Sequence, residues 1–427
     1  MNTYSSYKDS GVEWIGEVPG EWNVKRLDHF FTERKDKVDD VSYPPLSVTM
    51  KGIKDQLEGV AKSDDSSNRK LVLKSDFVIN SRSDRKGSSG ISFRDGSVSL
   101  INTVLEPKNI EPNYVNYLFK SYYFIEEYFR FGKGIHFDLW STNYSVMKNI
   151  KIPVLSIEEQ QQISDYLDYK TLKIDTLIEK TQQKIELLKE QRTSLINTTV
   201  TKGLNPNVEM KDSRVEWIGE IPSEWEVVKL KFVGKVVIGL SYSPDNVVDE
   251  GEGTLVMRST NVQNGKPSFH NNVYVNKDIP DRMVTREGDI LICSRNGSRN
   301  LIGKNCIISK DIEGMTFGVF MTIFRSKYWK LIYWVLNSPV FKSQSGLYLT
   351  STINQLTVST IKNLTIPFTF NEREQQQIVD YLDKETSRID KLVDIESKRI
   401  YLLKEYRQSL ISEVVTGKVD VRDEVLV

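Results

Sequence analysis

From Glu159 onward, apolar side chains recur at spacings of mostly three, four and seven: Ile163, Leu167, Ile174, Leu177, Ile178, Ile185, Leu188 and Leu195, with charged residues between them. This spacing predicts a long helix with one apolar stripe. The pattern returns 215 positions later as Ile378, Leu382, Ile389, Leu392, Val393, Ile400, Leu403 and Leu410, every one apolar. Both helices begin alike. Ser156 with Glu159, and Asn371 with Glu374, fit a capping residue followed three positions on by a reaching carboxylate, just after Pro153 and Pro367. Gly203 and Gly417 supply plausible stops. At 1.5 Å per residue, about 42 residues make each helix roughly 60 Å long.

The repetition is not confined to the helices. "KDSGVEWIGEVPGEW" from Lys8 returns as "KDSRVEWIGEIPSEW" from Lys211, an offset of 203, so the second copy carries 12 extra residues in its middle. The chain divides as a module over 1–153, a helix over 154–205, a second module over 206–367 and a second helix over 368–427. A lone amphipathic helix of this length would leave its stripe in water, and the obvious partner is its own repeat. An antiparallel pair is expected, because the chain leaving near Gly203 then exits beside the place where the second module belongs. That arrangement puts two modules at opposite ends of a rod, related by a pseudo-twofold axis. Trp14 and Trp22, like Trp217 and Trp225, are eight apart and are expected to pack module against rod.

Within the modules, short β-branched and aromatic runs alternate with Gly, Asn and Ser turns, so the fold class is α+β, with two mixed α/β modules. "DFVINS" at Asp76 and "DILICSR" at Asp289 correspond, and each leads into a polar, basic loop: "SRSDRKGSSGISFR" and "SRNGSRNLIGKN". Arg, Lys, Ser and Asn on such loops can grip phosphates and read base edges, Arg matching guanine and Asn matching adenine. The candidates for DNA contact are Arg82, Arg85, Lys86 and Ser88 in the first module and Arg295, Asn296, Ser298 and Arg299 in the second, with Arg258 and Asn261 on a further loop. The competing reading is a solvated surface turn. The aromatic stretches "YVNYLFKSYYFIEEYF" and "YWKLIYWVLNSPVF" read as core helices rather than stacking platforms.

Composition narrows the remaining classes. The chain has 427 residues, 39% of them hydrophobic and 27% charged, as in soluble multi-domain proteins. No apolar run is long enough to span a bilayer and the opening "MNTYSSYKDSG" lacks signal-peptide character, so a cytoplasmic protein without a membrane partner is expected. Fifty-eight basic and 58 acidic residues cancel, which leaves a nucleic-acid partner open, since binding depends on where the charge sits. Cys293 and Cys306 with the scattered His29, His136 and His270 do not form a zinc ligand set, and no metal site is expected. "GSRNLIGKN" has five residues between its glycines and Asn305 where a phosphate-binding loop needs Ser or Thr. No amino-methyltransferase motif, nuclease motif or repeated nucleophile, histidine and acid set is present. The pattern points to recognition, with chemistry elsewhere and no catalytic residues here.

The doubled "EWIGEVPGEW" and "EWIGEIPSEW", the lead-ins "KNIKIPVLSIEEQQQI" and "KNLTIPFTFNEREQQQI", and the helices through "VTKG" and "VTGK" together resemble the specificity subunit of a type I DNA restriction-modification system. The resemblance spans essentially the whole chain. It implies two target recognition domains, each reading one half of a split, asymmetric sequence in double-stranded DNA, and helices that set the gap and form an antiparallel coiled coil. It implies as partners two methyltransferase subunits carrying S-adenosylmethionine and restriction subunits using ATP and magnesium, with no cofactor in this chain, which serves phage defence. The alternatives are a coiled-coil scaffold with two protein-binding modules and no DNA role, and an enzyme with an unrecognised site.

Overall fold

The computed structural model describes residues 2–56, 68–133, 141–348 and 354–424. The chain forms two compact units, one made of 1–182 together with 397–427, the other of 183–396. Neither repeat copy coincides with a unit. Each unit combines one module with the start of one long helix and the end of the other.

In the first unit a four-stranded sheet is built from β1 (Phe31–Glu33), β2 (Phe77–Asn80), β3 (Ser89–Ile91) and β4 (Asn102–Pro107), in the order β3-β2-β4-β1, all antiparallel. Strand β2 is buried on both faces, which is why its sequence reads as an unbroken apolar run. Phe77 and Ile79 face the main core, where they meet helices α1 (Pro112–Lys120) and α2 (Tyr122–Arg130); Val78 faces a smaller core with Leu46, Val72 and Val98. The main core continues into α3 (Ile157–Lys202) through Ile163, Leu167 and Ile174, and into the end of the second long helix through Leu410, Val414 and Val415.

The second unit repeats this plan. Strands β5 (Lys235–Ile238), β6 (Ile290–Cys293), β7 (Asn305–Ile307) and β8 (Met321–Arg325) pair antiparallel in the order β5-β8-β6-β7. Ile290 and Ile292 of β6 pack under α4 (Trp329–Leu336), while Leu291 and Cys293 fill a second core on the opposite face. The main core takes in Ile196 and Val200 from α3 and Ile378 and Leu382 from α5 (Glu372–Val415).

The two long helices run antiparallel. In the second unit Arg192 donates to Asp390 through Nε at 2.8 Å and Nη2 at 3.3 Å, and Lys184 pairs with Glu396. In the first unit the repeat-equivalent pair recurs with the helices exchanged: Arg407 donates to Asp175 at 2.9 and 3.2 Å. Of the expected stripe, Ile163, Leu167, Ile174, Ile185, Ile378, Leu382, Ile389 and Leu410 are buried, and Leu177, Leu188, Leu195, Leu392, Ile400 and Leu403 are half-buried.

The repeated opening phrase folds as a small hairpin, Tyr7–Asp9 with Glu17–Pro19 and Met210–Asp212 with Glu220–Pro222. Its function is to deliver Trp22 and Trp225 to the helices. Trp22 Nε1 donates to Glu159 at 3.1 Å and Trp225 Nε1 to Glu374 at 3.0 Å. The expected capping box is therefore only half formed. Ser156 and Asn371 cap the helices as their side chains allow, but the carboxylates three residues on bond tryptophan instead of the capping backbone. The helix ends close on the same rings. Gly417 at φ +77 lies where a Cβ would stand 2.4 Å from Pro19 and 3.0 Å from Trp22, and Gly203 at φ +71 lies against Trp225. In the first unit the backbone of Asn2 also accepts from Asp420 N at 2.9 Å.

Candidate nucleic-acid interface

The two basic loops leave equivalent strand ends and are anchored in equivalent ways. After β2, Ser81 O accepts from Thr142 N at 2.9 Å and Arg82 bridges Ser141; after β6, Ser294 O accepts from Leu356 N at 2.8 Å and Arg295 bridges Gln355. A returning segment thus fixes the backbone at each loop's first arginine. Below each loop a buried aspartate secures the strand. Asp76 accepts from Arg34 at 2.8 and 3.2 Å and from Leu73 N at 2.8 Å; Asp289 accepts twice from Arg325 at 2.7 Å and from Arg286 N at 2.8 Å. The arginines come from different strands, β1's exit in one unit and β8 in the other. Asp289 holds the Arg325 guanidinium protonated more firmly than usual, as Asp76 does Arg34.

In the second unit Arg258, Arg295 and Asn296 converge on one cleft of about 1010 Å³, with Tyr242, Phe320 and Asn354 on its walls. Arg295 lies over the Phe320 ring at 5.2 Å, Asn296 Nδ2 donates to Ser259 Oγ at 3.1 Å, and Arg258 is steadied by donating to Asn271 O. Phe320 is 53% exposed on the cleft wall. Sequence reasoning missed Tyr242 and Phe320. The only signal for Phe320 is the paired glycine and phenylalanine of "FGVFM", where the second phenylalanine breaks the buried pattern of the strand that follows. Ser298 and Arg299 are exposed on the outer part of the loop, Arg299 reaching Gly346 O at 3.4 Å. Asn261 is a correction. It is fully buried and spends its side chain on Arg258 N, Ser268 O and Asn272, so it shapes the loop and is unavailable to a base.

In the first unit Arg82, Arg85 and Lys86 are exposed together on one loop. Lys86 is held over the Phe129 ring and by both oxygens of Glu126 at 2.7 Å, and Arg85 lies 3.6 Å from Asp84. Ser88 is the second correction, being buried at the start of the strand instead of on the loop surface. Its N–H donates to Arg85 O and its carbonyl accepts from Asn80 N, both at 2.9 Å, which ties it to the edge of the sheet. His136, one of the scattered histidines, lies outside the described residues. No helix among the described residues is long and apolar enough to cross a membrane.

The family model for the type I restriction modification DNA specificity domain matches residues 19–187 and again 222–407. The chain belongs to that family. Its two matches fall on the two copies of the repeat, each taking in a module and most of the long helix after it. The chain is 27% identical to the type I restriction enzyme MjaVIII specificity subunit of Methanocaldococcus jannaschii over 432 residues, 95% of each chain. Two solved structures share the fold. One, from a study of complex assembly and conformational transition of the type I R-M system, has a TM-score of 0.67 at 18% identity, covering 94% of this chain and 99% of that one. The other, the HsdS subunit from Thermoanaerobacter tengcongensis, has a TM-score of 0.54 at 16% identity, covering 94% and 98%. For a specificity subunit, the arrangement offers recognition chemistry: forked and amide donors on rigidly anchored loops beside an exposed ring.

Proposed function

We propose that this specificity subunit reads a bipartite, asymmetric sequence in double-stranded DNA, each module contacting one half, and docks two methyltransferase subunits that carry S-adenosylmethionine. Through them it serves restriction subunits that use ATP and magnesium; the chain itself supplies no catalytic group or cofactor. The observation that carries the reading is the cleft of the second module, lined by Arg258, Arg295 and Asn296, residue types whose guanidinium and amide groups pair with guanine and adenine edges. The loops of the two modules share a backbone frame and differ in side chains, which supports unlike half-sites. Leu187 and Leu402, repeat equivalents on α3 and α5, are 64% and 54% exposed and suit the same apolar contact made once by each methyltransferase subunit.

The test is to co-express the chain with its methyltransferase and map methylated bases in host DNA. The expected result is one split, asymmetric motif that depends on the chain. Arg295→Ala should weaken discrimination at a single position of one half, by about 1 to 3 kcal/mol, or roughly five- to 150-fold. Equal loss on every sequence would make Arg295 a phosphate contact, and methylation indifferent to the chain would leave it a scaffold.

A further inference from the structure

We propose that the first unit carries a second DNA contact, a phosphate-binding cleft beside its basic loop, which grips the duplex backbone without reading sequence. The proposal rests on the DNA-reading function above. The cleft, about 1090 Å³, lies between the Met50–Lys51 turn, the loop at Lys86, the junction of α1 and α2, and the paired long helices. Its lining includes Lys51, Lys86, Lys120, Lys404 and Arg407 against the carboxylate of Asp175. That carboxylate is already engaged by Arg407, and Glu126 by Lys86. Among the described residues, Lys51, Lys120 and Lys404 have no carboxylate within ion-pair distance.

Lys120 is the telling residue. It is half-buried at the last turn of α1, and burial together with Arg407 lowers its ammonium pKa. A lysine there favours the helix dipole, yet the second unit does without one. The equivalence is fixed by flanking contacts. Tyr117 donates to Asp168 at 2.6 Å as Trp334 does to Asp383 at 3.1 Å, and Ser121 and Ser338 each bond back to the carbonyl three residues earlier at 2.7 Å. At the matching place stands Asn337, bonded to Asn305 at 2.8 Å, and Arg192, the counterpart of Arg407, lies over the Trp334 ring. In the second unit Lys189 and Arg192 stand where Lys404 and Arg407 stand in the first, with Lys189 held by Glu186 at 3.0 Å, so what the first unit adds to the shared cations is Lys120, in a partly dehydrated cleft. Such a cluster is stabilised by an anion from outside the chain, and continuity with Lys86 of the basic loop favours DNA phosphate over any other source.

The experiment uses the complex of the full chain with its methyltransferase subunit, wild type and with Lys120→Gln, Lys404→Gln or both. Affinity for a target duplex and an unrelated duplex is measured across a salt series. Each substitution should lower affinity about three- to tenfold, equally on both duplexes, and the double variant should flatten the log K against log salt slope by about 1 to 2. The methylated motif should not change. Unchanged affinity and slope overturn the proposal. So does loss of assembly with the methyltransferase at an unchanged melting temperature, which would assign the cleft to an acidic protein surface. Binding of inorganic phosphate or a nucleotide without any change in the DNA slope also overturns it. Lys404 is exposed, so its variant decides the question even if Lys120→Gln fails to fold. A wild-type complex that shows no sequence preference would instead refute the DNA-reading function itself.

Discussion

Two arginine–aspartate pairs in the second unit have almost the same geometry and should differ severalfold in worth. Arg325 grips Asp289 with two bonds at 2.7 Å, and Asp289 is 1% exposed. Arg192 grips Asp390 at 2.8 and 3.3 Å, but both side chains reach water, 32% and 54% exposed. Asp289→Asn leaves the Arg325 guanidinium facing an amide and Arg286 N at risk of losing its acceptor. Removing one partner of a buried pair costs about 3 to 5 kcal/mol. Arg192→Gln removes a solvent-screened pair and costs at most about 1 kcal/mol. Against a domain stability of roughly 5 to 15 kcal/mol, the first change is severe and the second barely visible. Urea unfolding of the full chain at pH 7, followed by tryptophan fluorescence, measures both. Comparable losses, or a loss below about 1 kcal/mol for Asp289→Asn, would refute the claim that burial sets the difference.

Leu187→Asp and Leu402→Asp should each weaken methyltransferase binding at least tenfold, since burying one leucine contributes about 1.5 to 3 kcal/mol, while leaving the melting temperature unchanged; unaltered assembly would remove these positions from the docking surface. Cys293 and Cys306 are both fully buried, which raises both thiols, Cys306 to about 12. Neither should alkylate in the native chain at pH 8, whereas labelling at the rate of a free thiol would contradict the packing. Because the folded thiols keep their protons to higher pH than the unfolded ones, their contribution to stability should fall as pH rises past about 8.5.

The helices were legible in the sequence because an apolar stripe meeting its own repeat fixes their period and length, and the exit of the chain near Gly203 fixes their direction. The doubled DFVINS and DILICSR strands were legible for a related reason, since a strand buried on both faces has no freedom to be polar. The partner of Glu159 and Glu374 was not. A capping box and a bond to a distant tryptophan require the same glutamate at the same place, and only the folded hairpin decides between them. Among the loop candidates, residue type alone could not separate Arg295, which lines the cleft, from Asn261, which is consumed by hydrogen bonds within its own loop. Phe320 and Lys120 escaped for the opposite reason: an exposed phenylalanine and a half-buried lysine are conspicuous only once burial is known.

The division of each unit between distant parts of the chain has a consequence for biosynthesis. The first module leaves the ribosome before the second, with Ile163, Leu167 and Ile174 already made, yet Leu410, Val414 and Val415, which cover them, follow 236 or more residues later (410 − 174). At 5 to 20 residues per second the interval is roughly 10 to 50 s. The second unit, contiguous from 183 to 396, can close while the first still waits. Of the two units, the one begun earlier is therefore the later to be completed, and a chain that terminates before Leu410 never buries that seam.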